Sequence, residues 1–106
     1  MTTFDNRENA FENKYAHDAE MQFKAQARRD KLLGLWVAGL MGISGEEADT
    51  YARSVVIADL EEAGDEDVYR KVSADMTAKG IAIDALRAKM DEFLAVAKTQ
   101  ILTEIQ

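Results

Sequence analysis

An all-α fold, a four-helix bundle with a long first helix, is what this sequence predicts, and three observations carry the prediction. The 106 residues contain no proline and are rich in Ala, Glu, Lys and Leu, which favours helix over sheet. Apolar residues recur at spacings of three and four in separate stretches. Glycines and capping residues stand between those stretches, as expected at helix ends. At 47% hydrophobic and 31% charged residues, the chain has the make-up of one small domain with a single core.

The first stretch, from Phe4 to Met41, has no glycine before Gly34. As one helix it would span roughly 55 Å, against about 20 to 30 Å for each later helix, so part of it overhangs the bundle. On a helical wheel Phe4, Phe11 and Tyr15 share a side to which Leu33, Trp36, Val37 and Leu40 return. Asp18, Gln22, Gln26 and Arg29 occupy the interval between them, with Ala19, Phe23 and Ala27 displaced around the helix. Two apolar patches are therefore expected: a distal one, Leu32 to Met41, for the core, and a proximal one of three aromatics among charges.

After Gly42, Ser44 and Glu47 have the spacing of a capping box, and a second helix runs from Ser44 to about Ala63. It presents Ala48, Tyr51, Ala52, Val55 and Val56 inward, and Gly64 is placed to end it. Asp59 falls near the centre of this apolar face, so it is expected at the solvent end of the bundle or paired with an Arg, a Lys or a Tyr hydroxyl. Asp65 is the cap of a third helix, with Glu66 and Asp67 at the positive end of its dipole and Val68, Tyr69, Val72 and Met76 inward. The run Glu61, Glu62, Asp65, Glu66, Asp67 reads as a solvated end. Lys79 and Gly80 stop the third helix, and Asp84 caps the fourth. In the fourth, Leu86, Met90, Phe93, Leu94, Ala97, Ile101 and Ile105 form the clearest amphipathic face in the chain.

Several function classes are disfavoured. A net charge of −7 opposes general binding to nucleic acid or anionic membrane. Without cysteine, and with His17 as the lone histidine, no metal-ligand spacing exists. No nucleophile with a histidine partner, no phosphate loop and no dinucleotide fingerprint is present, so neither catalysis nor a cofactor is expected. No signal peptide and no membrane-length apolar run is visible, which leads to the expectation of a cytoplasmic protein.

Two features point to partners. Lys24, Arg28 and Lys31 lie with His17 along one side of the first helix, with Met21 between them. They either bridge to the acidic second and third helices or hold a nucleotide or another phosphate ligand. The proximal patch, Phe4, Phe11 and Tyr15 with Asp5, Arg7, Glu8, Glu12 and Lys14, fits a helix that folds into a deep groove of a protein partner. A generic helical adaptor is the remaining reading.

The chain also resembles the zeta-type inhibitor subunits of the alphaproteobacterial F-type ATP synthase. The resemblance is carried by Phe4-Asp5-Asn6-Arg7-Glu8-Asn9-Ala10-Phe11-Glu12, by Tyr15-Ala16-His17-Asp18, and by Phe23-Lys24 with Arg28-Arg29-Asp30-Lys31-Leu32-Leu33-Gly34-Leu35-Trp36. Gly64-Asp65-Glu66-Asp67-Val68 and Arg87-Ala88-Lys89-Met90-Asp91 extend it. It implies a mobile inhibitory segment, residues 1–19, ahead of a four-helix bundle, residues 20–106. That segment would become helical inside a catalytic interface of the enzyme head next to the rotor, at the cytoplasmic face of the inner membrane, and block ATP hydrolysis. The implied contacts are Phe4, Asp5, Arg7, Glu8, Phe11, Glu12, Lys14 and Tyr15. Asn9 and Asn13 stand where the family pattern leads one to expect lysine, and Gly39 where it has charged residues, so inhibition of altered strength is expected.

Overall fold

The computed structural model describes residues 19–60 and 65–104, which form four α-helices and no strand. They are α1, Ala19–Leu40; α2, Gly45–Asp59; α3, Glu66–Ala78; and α4, Leu86–Glu104. Helix α1 is the longest, about 33 Å at 1.5 Å per residue, and packs most extensively on α2 and α4, with α3 resting mainly on α2. The all-helical, four-helix architecture expected from the sequence is the one observed.

Two of the turns have the chemistry their glycines announce. At the end of α1, Ile43 N–H donates to Ala38 O (3.0 Å) and Gly42 N–H to Gly39 O (3.2 Å). At the end of α3, Ile81 N–H donates to Met76 O (2.9 Å) and Gly80 N–H to Thr77 O (3.0 Å). Both are paired closures that require a left-handed residue, which Gly42 (φ 78°) and Gly80 (φ 73°) supply.

The helix starts differ from expectation. Ser44 stands at the N-cap of α2 but makes no side-chain cap bond, and Gly45 beside it has φ 61°, which redirects the chain as it enters the first turn. Asp65 occupies the N-cap of α3 with helical backbone and no cap bond, because its carboxylate is taken by Arg29. Helix α2 ends at Asp59, short of the expected Ala63, and α4 begins at Leu86 after a turn at Asp84 and Ala85. Gly64 and Ile105 lie outside the described residues.

The main core cluster joins Leu33 and Val37 of α1, Val55 of α2, Val68, Val72 and Met76 of α3, and Leu86 and Met90 of α4. Trp36, Tyr51, Tyr69 and Phe93 pack around it. Burial of each such side chain contributes roughly 1.5 to 3 kcal/mol. A second, smaller cluster of Met21, Ala25 and Ile101 lies towards the start of α1, with Leu94 and Leu102 against it.

This second cluster corrects the reading of α1. Its buried row is Met21, Ala25, Arg29, Leu33 and Val37, each four residues from the last, so the seam continues through the interval taken as polar. Arg29 and Asp30 are buried within it, at 1% and 0% exposure. Phe23, by contrast, is 55% exposed, and Leu40, counted with the distal patch, is 46% exposed.

The glycines of α1 make contrasting predictions. A Cβ on Gly34 would lie 2.6 Å from Ala52 Cα, so the backbones of α1 and α2 approach too closely at this point for a side chain between them. Gly34→Ala is expected to force the helices apart and destabilise by about 1 to 3 kcal/mol. Gly39 has open space, and Gly39→Ala should stabilise by about 0.5 to 1 kcal/mol through helix propensity. Urea denaturation of the two variants would read both signs. Equal changes would mean that the close approach at Ala52 has no energetic weight.

Candidate functional site

Phe4, Asp5, Arg7, Glu8, Phe11, Glu12, Lys14 and Tyr15, and with them His17, lie outside the described residues. What the described residues determine is the scaffold that follows them and the fate of the basic side of α1.

Lys24, Arg28 and Lys31 do come together. With Phe23, Ala27, Val56, Ile101 and Glu104 they line an open cleft of about 500 Å³. Their charges are largely spoken for: Lys24 meets Glu20 one turn earlier at 3.3 Å. Arg28 donates to Gln100 Oε1 at 3.1 Å and to Glu104, which its Nη2 approaches at 2.9 Å. Bridging was expected towards the second and third helices, and it goes instead to α4 and within α1. The reason is geometric: α4 runs antiparallel to α1, Ile101 packing near Met21 and Ala25 while Phe93 meets Trp36, so the end of α4 lies beside the start of α1. Lys31 is exposed at the rim.

The cation that does reach the acidic end of α2 is Arg29. Its Nε donates to Asp30 Oδ1 at 2.6 Å and its Nη2 to Asp65 Oδ1 at 2.9 Å, with Asp59 Oδ2 at 3.8 Å. One guanidinium thus ties α1 to the last turn of α2 and to the residue preceding α3. Burial works against the charged guanidinium, but the bonds to Asp65 and Asp30 outweigh it and hold Arg29 above its ordinary pKa. Burial and then the hydrogen bond to Asp59 push the Asp30 carboxyl up to about 8, against the pull of Arg29.

Asp59 therefore pairs with an arginine, one of the outcomes expected for it. The rest of this cluster was missed. Arg29 is expected in the polar interval of the first helix, because charge in a sequence normally marks a solvated face, and Asp30 is given no place of its own. The available signal was positional: both sit four residues from members of the buried row or its neighbour, Ala25 and Leu33 for Arg29, and Gly34 for Asp30. Of the run expected to be a solvated end, Glu61 and Glu62 lie outside the described residues, Asp65 and Glu66 are exposed, and Asp67 is buried at 8% exposure and accepts from Arg70 at 2.8 Å.

Aromatic rings near the surface carry cations of their own. Arg87 lies 3.8 Å from the Tyr69 ring centroid and meets Glu66 at 2.9 Å. Lys71 lies over Tyr51, whose hydroxyl donates to Asp75 at 2.9 Å. Burial, with that bond to Asp75, raises the Tyr51 pKa. These contacts brace α2, α3 and α4 laterally; Lys71 lines one open surface cleft and Tyr51 another. Among the described residues no group of His, Cys, Asp or Glu is placed to hold a metal, and no helix is long and apolar enough to cross a membrane.

Comparison with known proteins adds what the geometry does not carry. No curated protein sequence matches the chain. A structure determined by solution NMR superposes with a TM-score of 0.71 at 56% sequence identity, covering 79% of this chain and 98% of the other. The family described as ATPase inhibitor subunit zeta matches residues 1–100, bundle and N-terminal stretch alike. That match runs over nearly the whole sequence, and the chain belongs to the ATPase inhibitor subunit zeta family.

Proposed function

We propose that the protein inhibits ATP hydrolysis by the F-type ATP synthase by inserting residues 1–19 as a helix into a catalytic interface of the enzyme head, next to the rotor. Residues 20–106 serve as the anchor on the outside of the head, at the cytoplasmic face of the inner membrane. The observation that carries this reading is the extent of the family match, which includes the N-terminal stretch as well as the bundle. The core supports it: among the described residues, the four helices supply two apolar clusters joined by a buried row along α1. A phosphate ligand on Lys24, Arg28 and Lys31 has less support, because Glu20 and Glu104 already meet two of these cations.

Phe4 and Phe11 are the hydrophobic anchors of the inserted helix, with Tyr15 at its end and Asp5, Arg7, Glu8, Glu12 and Lys14 meeting polar walls. Each ring contributes about 1.5 to 3 kcal/mol when buried. Phe4→Ala with Phe11→Ala should therefore weaken inhibition of the purified enzyme head by roughly a hundredfold or more, with little change in melting temperature. A large loss of thermal stability in the double variant would place these rings in the core and refute the assignment.

A further inference from the structure

The cluster around Arg29 holds more acid than base. Three carboxylates, those of Asp30, Asp59 and Asp65, surround one guanidinium. Asp65 takes the short bond from Nη2 and has a side chain 47% exposed, so water shares its charge. Asp30 is fully buried; Nε of Arg29 occupies its Oδ1, and no donor reaches the equally buried Oδ2. Asp59 lies within hydrogen-bond reach of the Asp30 carboxyl and is only 12% exposed. Asp59 is also the last residue of α2, where the helix dipole presents its negative end and disfavours a second negative charge.

Two ionised carboxylates cannot bond to one another, whereas a protonated one is a donor to its partner. We propose that Asp30 and Asp59 share a single proton, and that this proton fastens the last turn of α2 to α1 as a pH-sensitive joint. With the proton in place the site carries one guanidinium, one neutral carboxyl and two carboxylates, and the buried Oδ2 is satisfied. Without it, two adjacent negative charges face each other at the negative end of α2, and that turn loosens from α1.

Among the described residues, the charged groups that act on Asp30 come from three elements. From α1 there is Arg29, from α2 Asp59, and ahead of α3 Asp65, which acts through Arg29. The acids on the helices packed nearby have cations of their own: Asp67 meets Arg70 and Glu66 meets Arg87 on α3, and Glu104 of α4 meets Arg28. Burial and Asp59 oppose negative charge at Asp30, and Arg29 is the cation that favours it.

The linkage has a definite sign. The folded-state pKa of Asp30 lies above the ordinary 3.8, so the folded chain keeps a proton that the unfolded chain releases. This contribution to stability is complete below the ordinary carboxylate range and is lost as pH rises through about 8. For one proton the folding equilibrium falls by at most roughly tenfold per pH unit across that window. Glu66, whose pKa Arg87 lowers, acts with opposite sign but below the ordinary carboxylate range, and so does not mask it.

The test is a carboxyl-carbon NMR titration of the full chain from pH 3 to pH 9.5, with amide exchange followed at Val55 to Asp59. The Asp30–Asp59 pair is expected to show one step within the ordinary carboxylate range and a second above pH 6.5. Amide exchange in the last turn of α2 should accelerate across the second step beyond the intrinsic base-catalysed rise. In Asp59→Asn the side-chain amide donates to Asp30 in place of the shared proton, and the Asp30 midpoint should fall by at least one unit. Asp30→Asn should flatten the dependence of urea-unfolding stability between pH 5 and pH 8. Both carboxyls titrating below pH 5 in the native chain would overturn the proposal, as would parallel stability profiles for the native chain and Asp30→Asn.

Discussion

Removal of residues 1–15 is expected to abolish inhibition of ATP hydrolysis by the purified enzyme head while leaving the bundle folded. The truncation takes away Phe4, Phe11 and Tyr15 together, on the order of 4 to 9 kcal/mol of apolar burial, or at least a thousandfold in affinity. Residual binding of the bundle to the head is expected, because the anchor is intact. The melting temperature should hardly move, since the described residues, from Met21 onwards, already form both apolar clusters. Full inhibition by the truncated chain would dismiss insertion of the N-terminal segment and put the inhibitory contacts on the bundle surface. There the cleft beside Lys24 and Lys31 and the exposed Phe23 would be the first places to look.

Arg29→Ala is expected to be among the most destabilising single substitutions in the bundle, costing about 3 to 5 kcal/mol. The change removes the donor of Asp30 Oδ1 and of Asp65 and leaves three carboxylates without their cation. Two of them are buried or nearly so, and an uncompensated buried charge is worse than no ion pair at all. For a domain of this size such a loss lowers the melting temperature by at least about 10 °C. The loss should be smaller at pH 5 than at pH 8, because the Asp30 carboxyl, pushed up to about 8 even beside Arg29, holds a proton there instead of remaining ionised. Arg29→Lys is expected to recover only part of the stability, as one ammonium cannot reproduce the separate Nε and Nη2 bonds to Asp30 and Asp65. A cost below about 1 kcal/mol for Arg29→Ala would show that water already satisfies these carboxylates.

Most of the fold was legible because it rests on local chemistry. Gly42 and Gly80 end α1 and α3 as their positions indicate, because only a left-handed residue closes those paired carbonyl bonds. Leu86, Met90, Ala97 and Ile101 are buried on one face of α4, as their spacing requires. The capping residues were less legible. Asp65 has the right type at the right place, but a buried guanidinium from a distant helix outcompetes the local backbone for its carboxylate. A window of sequence cannot contain that competitor.

The candidate sites divide along the same line. Lys24, Arg28 and Lys31 were correctly grouped, since one helix face is enough to group them, but their partners were assigned to the wrong helices. That assignment depends on α4 lying antiparallel beside α1, with Glu104 brought to Arg28 across 76 residues of sequence. The family was legible at Phe4 to Glu12 and Arg28 to Trp36, where long ordered matches carry far more information than any spacing rule.

By itself, then, the sequence determined the number of helices, the closures at Gly42 and Gly80, the apolar faces of α2 to α4 and the family. All of these are set by residues within a few positions of one another or by long ordered identity. Only the tertiary structure decided which side of α1 is inside, and that side includes Arg29 and Asp30. The physical reason is that a charge is buried or exposed according to the partners brought to it. Asp59 and Asp65, from other elements of the chain, make a buried arginine cheaper than an empty seam between two apolar clusters.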